Sequence, residues 1–246
     1  MEKESIHMKW VLVTGASGGI GESLCRTLAA AGYNLVMHGH TQVDALQELK
    51  KELLALHAIE MEVVAADFSS LKGVSDLVNA LYMPIDAIIH NSGIAHYGLL
   101  PDMSDDEVNK ILHVNLLSPM LLTKQLLPAM IKKKAGTILF ISSIWGERGA
   151  SCEVVYSTTK GGINTFVKSL AKEVGPSNIR VNAIAPGAVA TKMMADFTDE
   201  ELQQLAQDIP MGRLAQPDEI SSIALFLLSQ HSSYINGHIL DANGGW

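Results

Sequence analysis

Three side chains in the middle of the chain have the chemistry of a proton-donating site. Tyr156 and Lys160 stand four residues apart, so on one helix they share a face, and Ser143 lies thirteen residues before the tyrosine. An unperturbed tyrosine has a pKa of about 10, and a neighbouring ammonium lowers that pKa because it stabilises the phenolate. A serine hydroxyl can donate to an oxygen on which negative charge develops. The pattern predicts reduction of a carbonyl, with Tyr156 as general acid.

Lys160 and Asn115 extend this predicted site. Lys160 can also donate to the ribose hydroxyls of a nicotinamide cofactor, so it would both orient the cofactor and tune the acid. Asn115 lies in a long predicted helix, where its amide could bind a water that passes protons to Lys160. As alternatives, Ser143 is a strand-end hydroxyl bonded to backbone and Asn115 is a satisfied buried amide. The joint occurrence of all four residues favours an active site.

A glycine-rich turn near the start of the chain predicts a phosphate-binding site. A predicted strand precedes the turn and a predicted helix follows it, which is the context that such a motif requires. Glycines let the backbone approach a pyrophosphate, and the helix N-terminus supplies N–H groups and a partial positive charge. The alternative is a tight turn without a ligand. The cofactor residues predicted here are Gly15, Ser17, Gly19, Ile20 and Gly21.

The end of the second predicted strand indicates which dinucleotide is bound. NAD enzymes of this architecture place an acid here that grips the adenosine ribose, whereas this chain has no acid until Asp44. His38, His40 and Thr41 are neutral or weakly basic groups that would tolerate a 2′-phosphate or hydrogen-bond to it. We therefore expect NADPH rather than NADH.

Two further segments follow predicted strands and belong to the cofactor site by position. Asp67 and Phe68 follow the third strand, where a carboxylate can accept a hydrogen bond from the adenine amino group. The alternative for Asp67 is a carboxylate that caps the next helix. Asn91, Ser92 and Gly93 end the fourth strand, where small residues let the ribose pass closely.

Strands and helices alternate along the whole chain. Alternation of this kind predicts βαβ units and one parallel sheet covered on both faces: an α/β, doubly wound, seven-stranded Rossmann fold in a single domain over residues 1–246. Residues 185–217 form a long insertion without a strand, which we interpret as a substrate-binding lid; a surface helical pair that only packs is the alternative. The predicted strands are Trp10–Thr14, Asn34–His38, Glu62–Ala66, Ala87–Asn91, Thr137–Ser142, Arg180–Ile184 and His238–Asp241.

Composition limits the classes of partner. The net charge of −8 disfavours nucleic acid, and two cysteines are too few for a disulfide framework, as suits a reducing cytosol. No apolar run reaches the roughly 18 residues of a membrane span, and the first ten residues lack the apolar core of a signal peptide. The nine histidines show no metal-ligand spacing. We expect a cytoplasmic protein with no metal and no nucleic-acid or membrane partner.

With these motifs, the chain resembles the short-chain dehydrogenase/reductase family over nearly its full length. The resemblance implies that the segment from Pro186 and Gly187 to Thr191 holds the nicotinamide carboxamide through Thr191 and the backbone of Val189. The segments 179–187 and 209–220 are most similar to the family's 3-oxoacyl-[acyl-carrier-protein] reductases. Such proteins are usually homotetramers, and their substrate carrier is acyl carrier protein. A cluster at Lys132, Lys133 and Lys134, with Lys168 and Lys172, could meet an acidic carrier; a solvated surface without a partner is the alternative.

The segment between Ser143 and Tyr156 departs from that subgroup. In this fold it lines the substrate mouth, where small, uncharged residues are usual and this chain has Trp145, Glu147, Arg148 and Glu153. Two carboxylates suit a cationic substrate. Together with residues 91–93 and the terminal Gly-Gly-Trp246, the segment also resembles the elongation factor P 5-aminopentanone reductase subgroup, which reduces a ketone on a modified lysine. Solvated loop carboxylates are the alternative. A third hypothesis, an NADPH-binding redox sensor without turnover, is disfavoured by the intact Ser-Tyr-Lys set.

Overall fold

The sheet is built from apolar segments of four to eight residues. The computed structural model describes residues 9–194 and 197–246; the start of the chain, on which the signal-peptide prediction rests, and two residues of the predicted lid lie outside them. Every neighbouring pair of strands is parallel, in the order β3-β2-β1-β4-β5-β6-β7 for the strands defined here: β1 (Trp10–Val13), β2 (Asn34–Gly39), β3 (Met61–Ala65), β4 (Ala87–His90), β5 (Gly136–Ile141), β6 (Ile179–Pro186) and β7 (Ile239–Ala242).

Helices connect the strands and cover both faces of the sheet. A π-helical turn, His113–Leu117, widens the helical path between α4 and α5. The described helices are α1 (Gly19–Ala30), α2 (Val43–Leu56), α3 (Leu71–Asn79), α4 (Asp105–Leu112), α5 (Ser118–Lys133), α6 (Trp145–Arg148), α7 (Val154–Val174), α8 (Asp199–Asp208) and α9 (Pro217–Leu228). None of these helices has both the length and the apolar character needed to cross a membrane.

Two hydrophobic cores lie on opposite faces of the sheet. Alternate residues of β1 point to opposite sides, so Val11 and Val13 join one core while Trp10 and Leu12 join the other. The first core contains side chains of α1, α2 and α9, and the second contains side chains of α3, α5 and α7. Because both faces are covered, the central strands are apolar throughout, as buried parallel strands require. The predicted doubly wound fold is confirmed.

The strand order places a crevice at one edge of the sheet. β1 lies between β2 and β4, so successive βαβ units wind outward from this point in opposite directions. In open parallel sheets, ligands bind outside the carboxyl ends of the strands at such a switch point. The segments after β1, β4 and β5, which are residues 14–21, 91–93 and 142–145, all leave the sheet at this edge.

Candidate active site

The turn after β1 needs its glycines because neighbouring chain packs directly against it. Gly15 has a φ of +63°, and a Cβ there would lie 2.8 Å from Ser92 Cα. A Cβ on Gly21 would lie 2.1 Å from the Gly15 carbonyl oxygen, and one on Gly19 would lie 2.8 Å from Thr191 Cγ2. The turn is therefore a backbone surface at the start of α1, without side chains that would block a ligand.

Thr14 ties this turn to the end of β4. Its hydroxyl oxygen accepts hydrogen bonds from the backbone N–H groups of Asn91 and Ser92, at 3.0 and 3.1 Å. Asn91 Nδ2 donates in return to the carbonyl oxygens of Thr14 and Gly15, at 3.1 and 2.9 Å. Asn91 and Ser92 thus hold the glycine turn in place. The sequence predicts only that these residues leave room for a ribose. Thr14 is not among the predicted site residues, although its place between the strand and the first glycine is a signal that the sequence offers.

His38 lies beneath the turn rather than at its surface. Its side chain is 2% exposed and stacks on Phe68 with 4.1 Å between ring centroids. Nδ1 accepts from the Gly15 N–H at 3.4 Å, and Nε2 faces the Ala66 carbonyl oxygen at 3.0 Å. Burial lowers the pKa of His38 to about 4, so the ring is neutral. With both nitrogens engaged, His38 and Phe68 support the turn and do not present a group to a 2′-phosphate.

His40, Thr41 and Asp67 remain at the surface near the end of β2. His40 and Thr41 are exposed, and His40 Nδ1 lies 3.8 Å from Asp67 Oδ1. The Asp67 carboxylate accepts hydrogen bonds from the N–H and hydroxyl of Ser69, at 2.9 and 2.8 Å, and these bonds hold the pKa of Asp67 below its usual value. The residue at the N-cap of α3 is Ser70, so the helix-capping alternative for Asp67 does not describe this structure.

Asn115 lies in the π-helical turn and is bonded entirely to protein groups. Its Oδ1 accepts from the Ile94 N–H at 2.9 Å, and its Nδ2 donates to the Ile94 carbonyl oxygen at 2.8 Å and towards Thr159 Oγ1 at 3.3 Å. The side chain is 2% exposed. Both hydrogens of the amide nitrogen are engaged, as in a satisfied buried amide, whereas Oδ1 accepts a single hydrogen bond and keeps a second lone pair; the predicted water-binding role stays a prediction. Asn115 lies close to Lys160 across Gly93: a Cβ added to Gly93 would lie 3.7 Å from Asn115 Oδ1 and 3.6 Å from Lys160 Nζ.

The structure brings Ser143, Tyr156 and Lys160 together at the carboxyl end of β5. Ser143 follows that strand, and its hydroxyl oxygen accepts from the Trp145 N–H at 3.2 Å. Tyr156 and Lys160 lie on the first turns of α7, with Lys160 Nζ 5.5 Å from the centre of the tyrosine ring. Lys160 is 5% exposed and donates to the Ile141 carbonyl oxygen at 2.8 Å. A hydroxyl, a phenol and an ammonium therefore line one recess beside the glycine turn.

Burial dominates the pKa values of the phenol and the ammonium. It raises the pKa of Tyr156 to about 12, and the neighbouring Ser143 hydroxyl offsets part of that increase. It lowers the pKa of Lys160 to about 8. Lys160 is not among the groups that shift the pKa of Tyr156, and its ammonium donates to the Ile141 carbonyl oxygen, so burial of the phenol rather than the neighbouring cation sets the direction of the shift.

The predicted substrate mouth is formed by α6 and the residues before α7. The indole of Trp145 packs edge-on against Trp246, with 5.2 Å between ring centroids. Glu153 is half-buried, and burial raises the pKa of its carboxyl while Trp145 opposes the shift. Glu147 lies exposed on α6. The structure thus groups Trp145 with Glu153 and with the terminal Trp246.

The segment after β6 folds back over the glycine turn. Gly187 donates its N–H to the Ala242 carbonyl oxygen at 3.1 Å, and a Cβ there would lie 3.1 Å from Asn243 Cα. Val189 pairs with Ala215 in an isolated bridge, and Thr191 then lies against Gly19. This order of contacts places Thr191, which follows Pro186 by five residues, at the start of α1.

The predicted lid begins with this segment and borders a cleft. Within the described part of residues 185–217, a short 3₁₀ turn and α8 follow Thr191. A cleft of about 410 Å³ opens between them and the glycine turn. Its lining residues are Gly19, Ala190, Thr191, Lys192, Met194, Leu202 and Leu214. The insertion therefore lies beside the glycine turn, and its action as a lid stays a prediction.

These residues fit a nicotinamide dinucleotide. Gly18 caps α1 without a side-chain hydrogen bond, so N–H groups of its first turn stay available to phosphate oxygens. A cleft of about 450 Å³ opens beside Ser17, between α1 and α2. Arg26 lines the same cleft, but Glu22 and Glu52 hold its guanidinium at 2.9 and 2.6 Å. Ile20 is partly buried and packs on the core below. Among the described side chains, no group of three or more potential ligands could hold a metal ion.

The doubly wound sheet, the glycine turn and the Ser-Tyr-Lys recess together define a nucleotide-binding oxidoreductase. A family model described as enoyl-(acyl carrier protein) reductase matches residues 15–246. The chain belongs to the short-chain dehydrogenase/reductase family.

Similar proteins span almost the whole chain. An uncharacterized oxidoreductase of Bacillus subtilis, YmfI, is 51% identical over 238 residues, which cover 97% of this chain and 98% of the relative. The 3-oxoacyl-[acyl-carrier-protein] reductase FabG of Aquifex aeolicus is 38% identical over 239 residues, or 95% of each chain.

Solved structures share the same fold. A 3-oxoacyl-[acyl-carrier protein] reductase of Brucella melitensis superposes with a TM-score of 0.89 at 31% identity, over 96% of this chain and 90% of that one. A candidate NAD(P)-dependent gluconate 5-dehydrogenase of Beutenbergia cavernae, with bound NADP at low occupancy, gives a TM-score of 0.90 at 30% identity, over 97% and 96% of the two chains.

Proposed function

We propose that this protein is an NADPH-dependent carbonyl reductase that converts a 3-oxoacyl group on acyl carrier protein to the 3-hydroxyacyl group. The observation that carries the proposal is the convergence of Ser143, Tyr156 and Lys160 beside the glycine turn at the switch point of the sheet. The likeness to FabG proteins over nearly the whole chain supports the choice of substrate.

The proposed roles follow from the protonation and position of each group. NADPH, when bound, supplies the hydride. Tyr156, with a pKa of about 12, is protonated at neutral pH and donates its phenolic proton to the carbonyl oxygen. The Ser143 hydroxyl donates a hydrogen bond to the same oxygen as negative charge develops there. Lys160 stays largely protonated below its pKa of about 8, so its positive charge favours the phenolate that proton donation leaves behind.

The preference for NADPH rests on the end of β2. No carboxylate of that strand faces the position of an adenosine ribose, and the exposed His40 and Thr41 can hydrogen-bond to a 2′-phosphate. Thr191 and the backbone of Val189 would hold the nicotinamide carboxamide, with Asp67 at the adenine. A ratio of kcat/KM for NADPH over NADH below one would contradict this preference.

A second substrate is favoured by one observation in the mouth. Glu153 is half-buried beside Trp145, next to the turn of α7 that carries Tyr156. A carboxylate in such a place suits a ketone that bears a free amine, such as the 5-aminopentanone group on modified elongation factor P, and is unfavourable beside an acyl chain.

The proposed assembly is a homotetramer in the cytoplasm. The proposed substrate carrier is acyl carrier protein. The lysine cluster does not support a carrier site next to the recess, since Lys132, Lys133 and Lys134 directly precede β5 whereas Ser143 follows it. A six-residue parallel strand is about 20 Å long, so the cluster lies at the opposite edge of the sheet.

The experiment that tests the proposal compares both substrates on one preparation. NADPH oxidation is followed with acetoacetyl-acyl carrier protein and with elongation factor P carrying the 5-aminopentanone group. A kcat/KM at least tenfold higher for the acyl thioester supports the proposed function, whereas the reverse ranking assigns the second substrate. Oxidation of neither substrate would reject both.

A further inference from the structure

A buried hydrogen bond lies directly behind the predicted catalytic residues. Ser142 Oγ donates to Asn164 Oδ1 at 2.6 Å, and the two residues are 3% and 7% exposed. Ser142 precedes Ser143, and Asn164 follows Lys160 by one helical turn on the same face of α7. The bond therefore joins the strand end that carries the Ser143 hydroxyl to the helix that carries the phenol and the ammonium.

Lys160 joins the same two segments through the neighbouring residue. Its Nζ donates to the carbonyl oxygen of Ile141, the residue before Ser142. The backbone N–H of Ser142 donates to the Ile184 carbonyl oxygen at 2.7 Å, which keeps this strand end in the sheet. The acceptor of the ammonium and the hydroxyl of Ser143 therefore lie on either side of the residue that Asn164 holds.

α6 encloses this pair from the other side. A Cβ on Gly146 would lie 2.8 Å from the Lys160 carbonyl carbon and 2.9 Å from Asn164 Nδ2. At such distances a side chain cannot be accommodated without moving backbone, so α6 presses directly on α7 at these two residues. The Asn164 side chain is thus packed against α6 on one side and bonded to Ser142 on the other.

We propose that Ser142 and Asn164 form a brace that positions Ser143 and Lys160 for carbonyl reduction. This inference rests on the proposed function. Neither residue contacts the reacting atoms, so both are positioning residues. The effect is large because a displacement of about 1 Å at a reacting group can lower a rate by roughly 100-fold.

The first test is a double-mutant cycle on kcat. Ser142→Ala and Asn164→Ala each remove the bond, and we expect each to lower kcat about tenfold while the KM for the ketone changes less than twofold. The double variant should lose no more than either single variant, because the bond is removed only once. Losses that multiply in the double variant would overturn the brace.

A matched control separates positioning from general destabilisation. Ser232 is 1% exposed and its hydroxyl donates to the Leu227 carbonyl oxygen at 3.0 Å, outside the site. Ser232→Ala should lower the melting temperature by a similar amount and leave kcat unchanged. Ser142→Thr keeps the hydroxyl and should retain kcat within about threefold of wild type. An equal loss of kcat in Ser232→Ala and Ser142→Ala would overturn the inference.

NADPH binding distinguishes failure of the brace from failure of the proposed function. A wild-type protein that reduces no ketone would reject the proposed function, and the brace is then judged by the Kd for NADPH, measured from cofactor fluorescence. A severalfold higher Kd in Ser142→Ala than in Ser232→Ala would support the brace, because Lys160 is predicted to hold the nicotinamide ribose. Equal values in the two variants would overturn it.

Discussion

Burial acts in opposite directions on the two titratable groups of the recess. A phenolate loses solvation when it is buried, so the pKa of Tyr156 rises to about 12, whereas a buried ammonium loses solvation in its protonated form and the pKa of Lys160 falls to about 8. At neutral pH the phenol carries its proton and the lysine its charge. These are the protonation states that the proposed carbonyl reduction requires of a general acid and its neighbouring cation.

Removing the phenolic hydroxyl tests the acid directly. Tyr156→Phe keeps the ring, so the Kd for NADPH should stay within about twofold of wild type, while kcat should fall by roughly 10² to 10⁴. Single-turnover NADPH oxidation measures the chemical step. Tyr234→Phe is the matched control, because Tyr234 is fully exposed and lies outside the recess. A Tyr156→Phe protein with more than about a third of wild-type kcat would contradict the proposed role.

At the scale of elements, the sequence predicts strands well and local irregularities poorly. The seven predicted strands agree with the observed ones to within two residues, because buried parallel strands are apolar on both faces and bounded by polar residues. The sequence predicts one long helix around Asn115, yet a π-helical turn interrupts it at His113–Leu117. Helical periodicity is nearly the same on both sides of such a turn, so the pattern does not reveal it.

Side-chain direction is the second feature that the sequence does not determine. His38, His40 and Thr41 were predicted together as a phosphate-facing group, but His38 is turned inward by its stack on Phe68. Side chains alternate between the faces of a strand, so the spacing of two residues predicts that His38 and His40 share a face. Because β2 ends at Gly39, His40 lies beyond the strand and is exposed, whereas His38 is buried. Contacts between residues distant in sequence decide such cases. The Ser-Tyr-Lys recess was predictable because its spacing is local to one strand end and one helix.

The two carboxylates of the substrate mouth differ in burial, because Glu147 lies on α6 and Glu153 lies directly before α7. Glu153 is half-buried beside Trp145, whereas Glu147 is exposed. Glu153→Gln should therefore lower kcat/KM for a cationic ketone more than Glu147→Gln does. For Glu153→Gln we expect a severalfold to roughly tenfold loss of kcat/KM on the cationic ketone, and little change on a neutral acyl thioester. The Glu147→Gln protein is the control, and the difference should shrink at high salt.

An unchanged ratio of kcat/KM for the two substrates in Glu153→Gln would show that this carboxylate does not select the substrate. The position of Glu153 would then no longer favour the cationic ketone, and the acyl thioester would remain as the proposed substrate.

At the scale of the whole molecule, the buried ammonium of Lys160 lowers the free energy of unfolding. Lys160 has a pKa of about 8 in the folded chain and about 10.5 in the unfolded chain, so the unfolded state binds more protons between these values. The free energy of unfolding therefore rises as pH increases through this window, and the destabilisation is fully present below pH 8. The Ile141 carbonyl oxygen, which accepts a hydrogen bond from Nζ, holds this charged group in a site in which it loses solvation.

Lys160→Met removes the titrating group while keeping a long apolar side chain in its place. From the two pKa values, the wild-type free energy of unfolding should gain about 1 kcal/mol between pH 7 and pH 9 from this residue, and the variant should lack that gain. Urea denaturation at both pH values measures it. The buried Cys25 thiol, whose pKa is raised to about 12, lowers stability as pH rises above about 9, but it does so equally in both proteins and cancels in the comparison. Equal pH dependence in wild type and Lys160→Met would show that the buried ammonium does not oppose folding.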